Sequence, residues 1–433
     1  MLLKWLESQA FRTLTRDGRL LFSTRIARLF GYGFLSVVLV LYLAQLGLSE
    51  TQIGLLLTLT LIGDTAISLW ITTSADRIGR RRMLIAGASL MLFAGVLFAL
   101  AGDFVLLLVA ATIGVISPSG NEIGPFLPIE QAALSQIVPN EQRTRVFAWY
   151  NLVGSFATAL GALCGGGLAR VLQGAGLSPL ESYRVIVIGY AALGLALGIL
   201  FARLSAAAEP SPQPLSLRGR GARGEGRLGL HRSRRVVLKL SALFALDAFA
   251  GGFVLQSVVA YWFFLRFGLE EATLGSIFFG ANILAGLSAL LAARVAARIG
   301  LIKTMVFTHI PSNVLLCLVP LMPNLPLAVG VLLLRFSISQ MDVPTRQSYT
   351  LAVVAPDERS AASGVTTIAR SVGASLSPTL SGLFLASPLL IGAPFLVAGG
   401  LKIIYDLLLY HSFRSLKPPE EKGGVLRTTS TQF

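Results

Sequence analysis

The chain has 433 residues, 54% of them hydrophobic and 13% charged, with a mean hydropathy of +0.73, which excludes a soluble domain and reads as an integral membrane protein. The formal net charge of +15 invites a nucleic-acid reading, but the placement of the Lys and Arg residues makes the basicity topological, and no nucleic-acid partner is expected. Cys164 and Cys317 fall in apolar runs of different halves, so no disulfide framework is expected either.

Residues 1–25 form an N-terminal segment with several arginines and without a small-residue cleavage site behind an apolar core, so no removable signal is expected. Apolar runs near the ~20 residues of a helical crossing follow. They lack the period-two alternation of barrel strands, so the spans are read as helices. Twelve are predicted, at 26–46, 51–73, 83–101, 104–137, 146–169, 185–203, 240–265, 272–293, 304–322, 326–353, 361–384 and 389–410. They group into a bundle at 26–203, an Arg-rich linker at 204–239 whose Pro, Gly, Ser and Arg content cannot build a core, a second bundle at 240–410, and a tail at 411–433. In this topology Arg170, Arg184 and Arg266 fall on one side of the membrane, and Arg335, Arg346, Arg370 and Lys402 fall inside spans. The other Lys and Arg residues fall with the linker and the chain ends. That bias predicts a multi-pass protein of the cytoplasmic membrane with both termini in the cytoplasm.

The two bundles repeat each other. "GLSETQIG" (Gly47 to Gly54) answers to "GLEEATLG" (Gly268 to Gly275), and "ADRIG" (Ala75 to Gly79) to "AARIG" (Ala296 to Gly300), both at a shift of 221 residues. "PIEQ" (Pro128 to Gln131) answers to "PTRQ" (Pro344 to Gln347), and "NEQRT" (Asn140 to Thr144) to "PDERS" (Pro356 to Ser360), both at 216. Four matches in one order indicate a duplication of six spans. Six is even, so the copies enter the membrane in the same orientation.

The loop between spans 2 and 3 reads "SADRIGRRRM" (Ser74 to Met83). With the duplication and the Arg-rich linker, this loop makes the chain resemble the major facilitator superfamily from the first span to the twelfth. That family's signature is Gly, three residues, Asp-Arg, any residue, Gly and two basic residues. Asp76, Arg77, Gly79, Arg80 and Arg81 match it, Thr72 stands in place of the first glycine, and the second copy keeps Arg298 and Gly300 but has Ala297 for the aspartate. Gly79 permits a tight reversal, and the arginines hold the loop on the cytoplasmic face. Asp76 is expected either to latch one conformation, against a helix N-terminus of the other half or an Arg298-type residue, or simply to anchor topology. In span 5, "ATALGALCGG" (Ala157 to Gly166) resembles the superfamily's antiporter signature at Gly161, Gly165 and Gly166, with Ala157 and Ala162 in place of a glycine and the proline. Such small residues let helices approach closely, sealing one side of a cavity or simply packing. The resemblance implies an all-α fold of twelve transmembrane helices, as two parallel six-helix repeats around a central cavity.

A charge at bilayer depth costs about 2.5–3.5 kcal/mol on insertion scales, so each one inside a span needs a reason. Asp64 lies in "LIGDTAIS" without a local cation, expected either at the central cavity or in a structural hydrogen bond. Span 4 is interrupted by Pro118, Gly120, Gly124, Pro125 and Pro128, with Asn121, Glu122 and Glu130 in or beside the break, and interrupted spans point to transporter sites. Span 10 carries Arg335, Asp342 and Arg346, the last two at a spacing that lets them neutralise each other. Glu130 and Arg346 are repeat partners, expected on facing helices as a proton-sensitive pair, a substrate clamp or a purely structural pair. Arg370 completes the substrate or proton-coupling candidates. Lys402 and Asp406 are expected to compensate each other. Asp247 is expected to meet Arg25 or Arg28 as a gate, and His309 to be a hydrogen-bonded residue at a helix end.

No phosphate loop of the G-x-x-x-x-G-K-[ST] type occurs, which disfavours ATP coupling. Rocking halves suit the repeats better than a fixed channel pore. The expected function is secondary active transport of a small organic solute by alternating access, as proton-coupled export (antiport), with proton-coupled uptake (symport) as the alternative. A membrane-embedded enzyme acting on lipids is more remote, because no clustered carboxylates or His/Cys/Asp constellation appear. The partners expected are the lipid bilayer, the solute and protons, with no cofactor or metal, and the functional unit expected is a monomer.

Overall fold

The structure is a computed structural model that describes residues 14–120, 124–209, 231–355 and 358–416. Among these residues the longer elements are all helices. In chain order they are α1 (Arg16–Ser36), α2 (Leu39–Gln45), α3 (Glu50–Ile78), α4 (Arg80–Leu100), α5 (Phe104–Ile113), α6 (Phe126–Ile137), α7 (Asn140–Gly174), α8 (Pro179–Ala202), α9 (Arg234–Gly252), α10 (Gln256–Phe267), α11 (Glu271–Ile299), α12 (Leu301–Leu318), α13 (Leu325–Phe336), α14 (Asp342–Ala352), α15 (Arg359–Leu376), α16 (Pro378–Leu385) and α17 (Ala393–Phe413).

These seventeen helices make twelve spans, because several spans are broken. Spans 2, 3, 5, 6, 8, 9 and 12 are the single helices α3, α4, α7, α8, α11, α12 and α17. Spans 1, 4, 7, 10 and 11 are the pairs α1–α2, α5–α6, α9–α10, α13–α14 and α15–α16. Four of the five breaks follow the repeat: span 1 breaks after Ser36 and span 7 after Gly252, span 4 after Ile113 and span 10 after Phe336, while the break of span 11 after Leu376 has no counterpart in span 5. Span 1 bends at its break by 43°. The sequence predicted span 4 as one run at 104–137, but residues 114–120 and 124–125 leave the helix, with Gly120 and Gly124 at φ +66° and +91°.

Local chemistry sets several helix ends. Ser49 and Gln52 form a reciprocal capping box at the start of α3, and Ser178 and Glu181 form another at α8. Gly79 (φ +112°) and Gly300 (φ +89°), repeat partners, make the reversals from α3 to α4 and from α11 to α12. Helix α1 starts at Arg16, well before the residue 26 that hydropathy predicted, and carries Arg25 and Arg28 into the protein.

Each half supplies two helices to a pair of seams. In one, α7 meets α11: a Cβ on Gly166 would lie 2.1 Å from the Glu271 carbonyl oxygen, and one on Gly275 2.7 Å from that of Ala162. In the other, α3 meets α16: a Cβ on Gly382 would lie 2.2 Å from the Glu50 oxygen, and one on Gly54 2.6 Å from that of Pro378. Gly54 and Gly275, Glu50 and Glu271, and Gly166 and Gly382 are repeat partners, so one glycine contact is built twice. Both seams lie toward the end opposite the linker.

The linker end is organised by contacts within each half. The Glu209 carboxylate accepts the Arg80 and Arg81 backbone N–H groups (2.7 and 3.1 Å), which caps α4, and Asp17 accepts the N–H of Ser205 (3.1 Å). In the second half Glu358 accepts the N–H groups of His231, Arg232 and Ser233 at 2.5, 2.7 and 2.8 Å. With Tyr349 donating to the Leu416 carbonyl (2.9 Å), the start of α1, the linker flanks and the end of α17 share one face. The halves are joined by the seams at the far end, whereas the hydrogen bonds described at the linker end each stay within one half, the arrangement of a cleft open toward the linker.

Candidate functional site

The first half buries an ion pair. Arg28 in span 1 donates from both terminal nitrogens to Glu130 in span 4, Nη1 to Oε1 at 2.8 Å and Nη2 to Oε2 at 2.7 Å, with both side chains 0% exposed. Thr24 donates to Oε1 (2.9 Å) and the Tyr150 hydroxyl of span 5 to Oε2 (2.5 Å), so spans 1 and 5 together fully ligate the span 4 carboxylate. Arg25 lies over the Tyr150 ring at 4.4 Å and donates to the Tyr150 carbonyl and to Asn151 Oδ1. A bidentate pair with every acceptor used fixes helices relative to one another and holds this bundle rigid.

The second half gathers its charges around Asp247 of span 7. Lys402 of span 12 lies 2.5 Å away, Arg370 of span 11 3.0 Å, Arg346 of span 10 3.3 Å and His309 Nε2 of span 9 4.0 Å. Arg346 also donates to Asp342 at 2.7 Å, the neutralisation that their spacing predicted. His309 Nδ1 pairs with Asp406 at 2.9 Å, and Asn313 donates to the same carboxylate at 3.1 Å.

Several expected pairings are overturned. Asp247 does not gate against Arg25 or Arg28; each is held inside its own half, because the intra-bundle partners fully ligate it. Glu130 does not pair with Arg346 for the same reason. Lys402 and Asp406 do not compensate each other: Lys402 reaches across to Asp247, and Asp406 turns to His309 and Asn313. His309 is not at a helix end. Helix α12 runs from Leu301 to Leu318 through Pro311, and the histidine is buried in its middle.

Asp64, buried in span 2, accepts the Gly124 N–H at 3.1 Å through Oδ2, and its Oδ1 has no hydrogen-bond partner. No cation bonds it among the described residues. It therefore faces the break of span 4. Asn121 and Glu122, within that break, lie outside the described residues.

At the switch loop, Asp76 is 73% exposed in its side chain and pairs with Arg80 at 3.2 Å, one turn on; Arg77, Arg298 and their surroundings are exposed. Arg80 also donates to Gln136 (2.9 Å), while Arg81 gives its backbone N–H to Glu209. Thr72, in the place of the signature's first glycine, turns its hydroxyl back to the Ser68 carbonyl at 2.6 Å. In span 5 the glycines divide their work. Gly161 and Gly165 lie against the Phe30 and Phe34 carbonyls of α1, where a Cβ would come within 2.1 and 2.2 Å, whereas Gly166 meets the other half.

The centre of the cleft holds residues that sequence reasoning missed. Gln256, opening α10 after the break of span 7, donates to Ser36 at the break of span 1 (2.7 Å) and accepts from Asn282 of span 8 (3.1 Å). The Ser257 N–H donates to the Pro118 carbonyl in the break of span 4 (3.1 Å). Three broken spans thus meet at one polar patch between the halves, where freed backbone groups find partners across the interface. A lone glutamine and asparagine in otherwise apolar runs were the signal available in the sequence.

The sequence profile of the Major Facilitator Superfamily matches residues 21–378 and again 248–430. The chain is 31% identical, over 92% of its length and 94% of the relative's, to Uncharacterized membrane protein YJR124C of Saccharomyces cerevisiae. It is 28% identical to Quinolone resistance protein NorA of Staphylococcus aureus over 33% of this chain and 35% of that one. Among solved structures it resembles an inward-facing, occupied bacterial homologue of the human lysosomal transporter Spinster (TM-score 0.69, 16% identity, 94% of this chain and 98% of that one). It also resembles a D-xylose-proton symporter (TM-score 0.68, 17% identity, 91% and 97%). The likeness to those structures shows a shared fold, and with the profile matching along nearly its whole length the chain belongs to the Major Facilitator Superfamily, as a membrane transporter of small solutes.

Proposed function

We propose that the protein exports a small organic solute across the cytoplasmic membrane in exchange for protons, as a monomer working by alternating access. The observation that carries the proton part is Asp64. Among the described residues its one hydrogen-bond partner is a backbone N–H and no cation meets it, whereas Glu130, Asp247 and Asp342 are each held by arginine or lysine. A carboxylate at that depth carries its desolvation cost whenever it is charged, and a proton removes it. Gly124 ties Asp64 to the break of span 4, and Pro118 in the same break touches the other half, so a change at the carboxyl group reaches the interface between the bundles. Export is supported by the match to the quinolone resistance protein over a third of the chain and by the glycine signature of span 5.

The distribution of Lys and Arg supports a cytoplasmic linker and cytoplasmic termini, and on that reading the conformation described is open inward. In the outward-open state the glycine seams separate and the linker end closes, with Asp76 as its latch. Glu130, Asp342 and Arg346 hold the bundles rigid while they swing.

The test is transport in proteoliposomes across a panel of small organic compounds that includes quinolones, under pH gradients of both signs. Export predicts solute movement against the proton flow. Movement with the proton flow would instead establish uptake by symport. Asp64→Asn should abolish gradient-driven accumulation while leaving downhill exchange intact; accumulation at the wild-type level would remove Asp64 from the mechanism.

A further inference from the structure

Helix α15, the first part of span 11, has three faces. Ala362, Thr366 and Gly373 are buried, and a Cβ on Gly373 would lie 2.3 Å from the Ala245 carbonyl of α9, so this face packs inside its own half. Ile368, Val372 and Leu376 form an exposed apolar stripe at 39%, 48% and 53%, which suits lipid. The third face carries Ser363, Thr367, Arg370 and Ser371, at spacings of four, three and one, which on a helix is a single polar stripe. Ser363 and Thr367 are exposed, and the Arg370 side chain is 33% exposed. Exposed polar groups at this depth face water and not lipid, so the stripe lines the cleft.

Among the described residues Arg370 makes one hydrogen bond, from Nη1 to Asp247 Oδ2 at 3.0 Å. A guanidinium has five N–H donors, so most of its fork is left for the cleft. Asp247 does not need it, because Lys402 at 2.5 Å and Arg346 at 3.3 Å stay bonded if Arg370 turns away. The charges of the cluster point the same way. Around Asp247, the cations Lys402, Arg370 and Arg346 stand against the carboxylates Asp247 and Asp342, three to two, with Asp406 taken by His309 and Asn313. Arg335, just before the break of span 10, has its buried Nε without a hydrogen-bond partner.

We propose that the transported solute is an organic anion, a carboxylate or sulfonate, whose acid group is bound by the cleft-facing donors of Arg370. The planar fork matches two oxygens of such a group, and the excess positive charge of the cluster around Asp247 is compensated when the anion is bound. The inference rests on the reading of the chain as a transporter that works through its cleft.

The test uses the full chain in proteoliposomes under the favourable pH gradient, with protein-free vesicles as blanks and matched pairs as probes: naphthalenesulfonate against naphthalenesulfonamide, benzoate against benzamide and indole-3-acetate against its amide. At least one anion should be transported tenfold or more faster than its neutral partner. Arg370→Gln should remove that preference, and Arg370→Lys should retain part of it, with the melting temperature of each variant confirming the fold. Equal rates for anions and neutral partners, or a preference unchanged in Arg370→Gln, overturns the anion site and leaves the transporter standing. Gradient-driven flux of the neutral compounds alone does the same. Absence of any gradient-dependent flux from folded protein removes both.

Discussion

Arg28 and Asp247 occupy the same place in the two halves, 219 residues apart, with opposite charge. Each is bonded across its bundle to the repeat partner of the other's mate, Arg28 to Glu130 and Asp247 to Arg346, which are themselves 216 apart. The duplication has kept an ion pair between the first and fourth spans of each half and inverted its sign. In the first half the pair is closed off by Thr24 and Tyr150. In the second it is opened into a network by His309, Arg370 and Lys402, and only there does a cation reach the cleft. On the proposed reading, the first half is a rigid clamp and the second carries the charge that meets the solute.

Glu130→Gln should be strongly destabilising, because it leaves Arg28 buried without a counter-charge. Loss of one partner of a buried pair costs about 3–5 kcal/mol. The melting temperature of purified protein checks this. The double variant Arg28→Met with Glu130→Leu should recover more than half of the loss. Strict additivity of the two single changes would show that the pair is not coupled.

The paired glycine seams predict a conformational bias. Gly166→Ala and Gly382→Ala each place a methyl group where a neighbouring carbonyl lies 2.1 or 2.2 Å away, so the seams should part and the population shift toward the state open at that end. A cysteine introduced at Val258, which lines the far end beside Glu50 and Tyr261, should label severalfold faster in either background. Gly167, with nothing within 4 Å, is the control, and Gly167→Ala should leave labelling unchanged.

Asp76 should matter to rate and not to stability. Its exposed pair with Arg80 is of a kind worth about 0.3–0.5 kcal/mol, so Asp76→Asn should melt within a degree or two of wild type. If the residue latches the opposite conformation, the turnover rate in proteoliposomes should fall by tenfold or more. An unchanged rate would reduce Asp76 to a topology anchor.

Glu358 gives a pH signature at the linker end. Burial would raise its carboxyl group, but the Ser233 hydroxyl and the N–H groups of His231, Ser233 and Arg232 outweigh it and hold the group at about 2, against an ordinary 4.5. A depressed carboxyl group contributes stability that is present above pH 4.5 and is lost as pH falls through about 2. The difference in melting temperature between wild type and Glu358→Gln should therefore hold steady from pH 7 down to about 5 and shrink below it. A difference that grows on acidification would contradict the contact.

Much of the fold was legible in the sequence, and the site much less so. Hydropathy found twelve spans because a helix in lipid must satisfy its own backbone, which leaves a long apolar run as a signature. It started span 1 too late, because Arg25 and Arg28 look like solvent-facing charges until Glu130, Tyr150 and Asn151 are brought to them. The same blindness set Lys402 with Asp406 and Asp247 with Arg28.

What the sequence by itself determined is the membrane class, the duplication, the glycine reversals at Gly79 and Gly300, the glycine run of span 5 and the set of charges at membrane depth. These are properties of one chain segment or of its copy. What only the tertiary structure decided is which charges meet, where the three broken spans converge on Ser36, Pro118 and Gln256, and which cation is left to the cleft. In a low-dielectric interior a carboxylate takes the cations that other helices carry to it, and an acid and a base four residues apart stay together only where no better partner crosses the bundle, as Asp342 and Arg346 do and Lys402 and Asp406 do not.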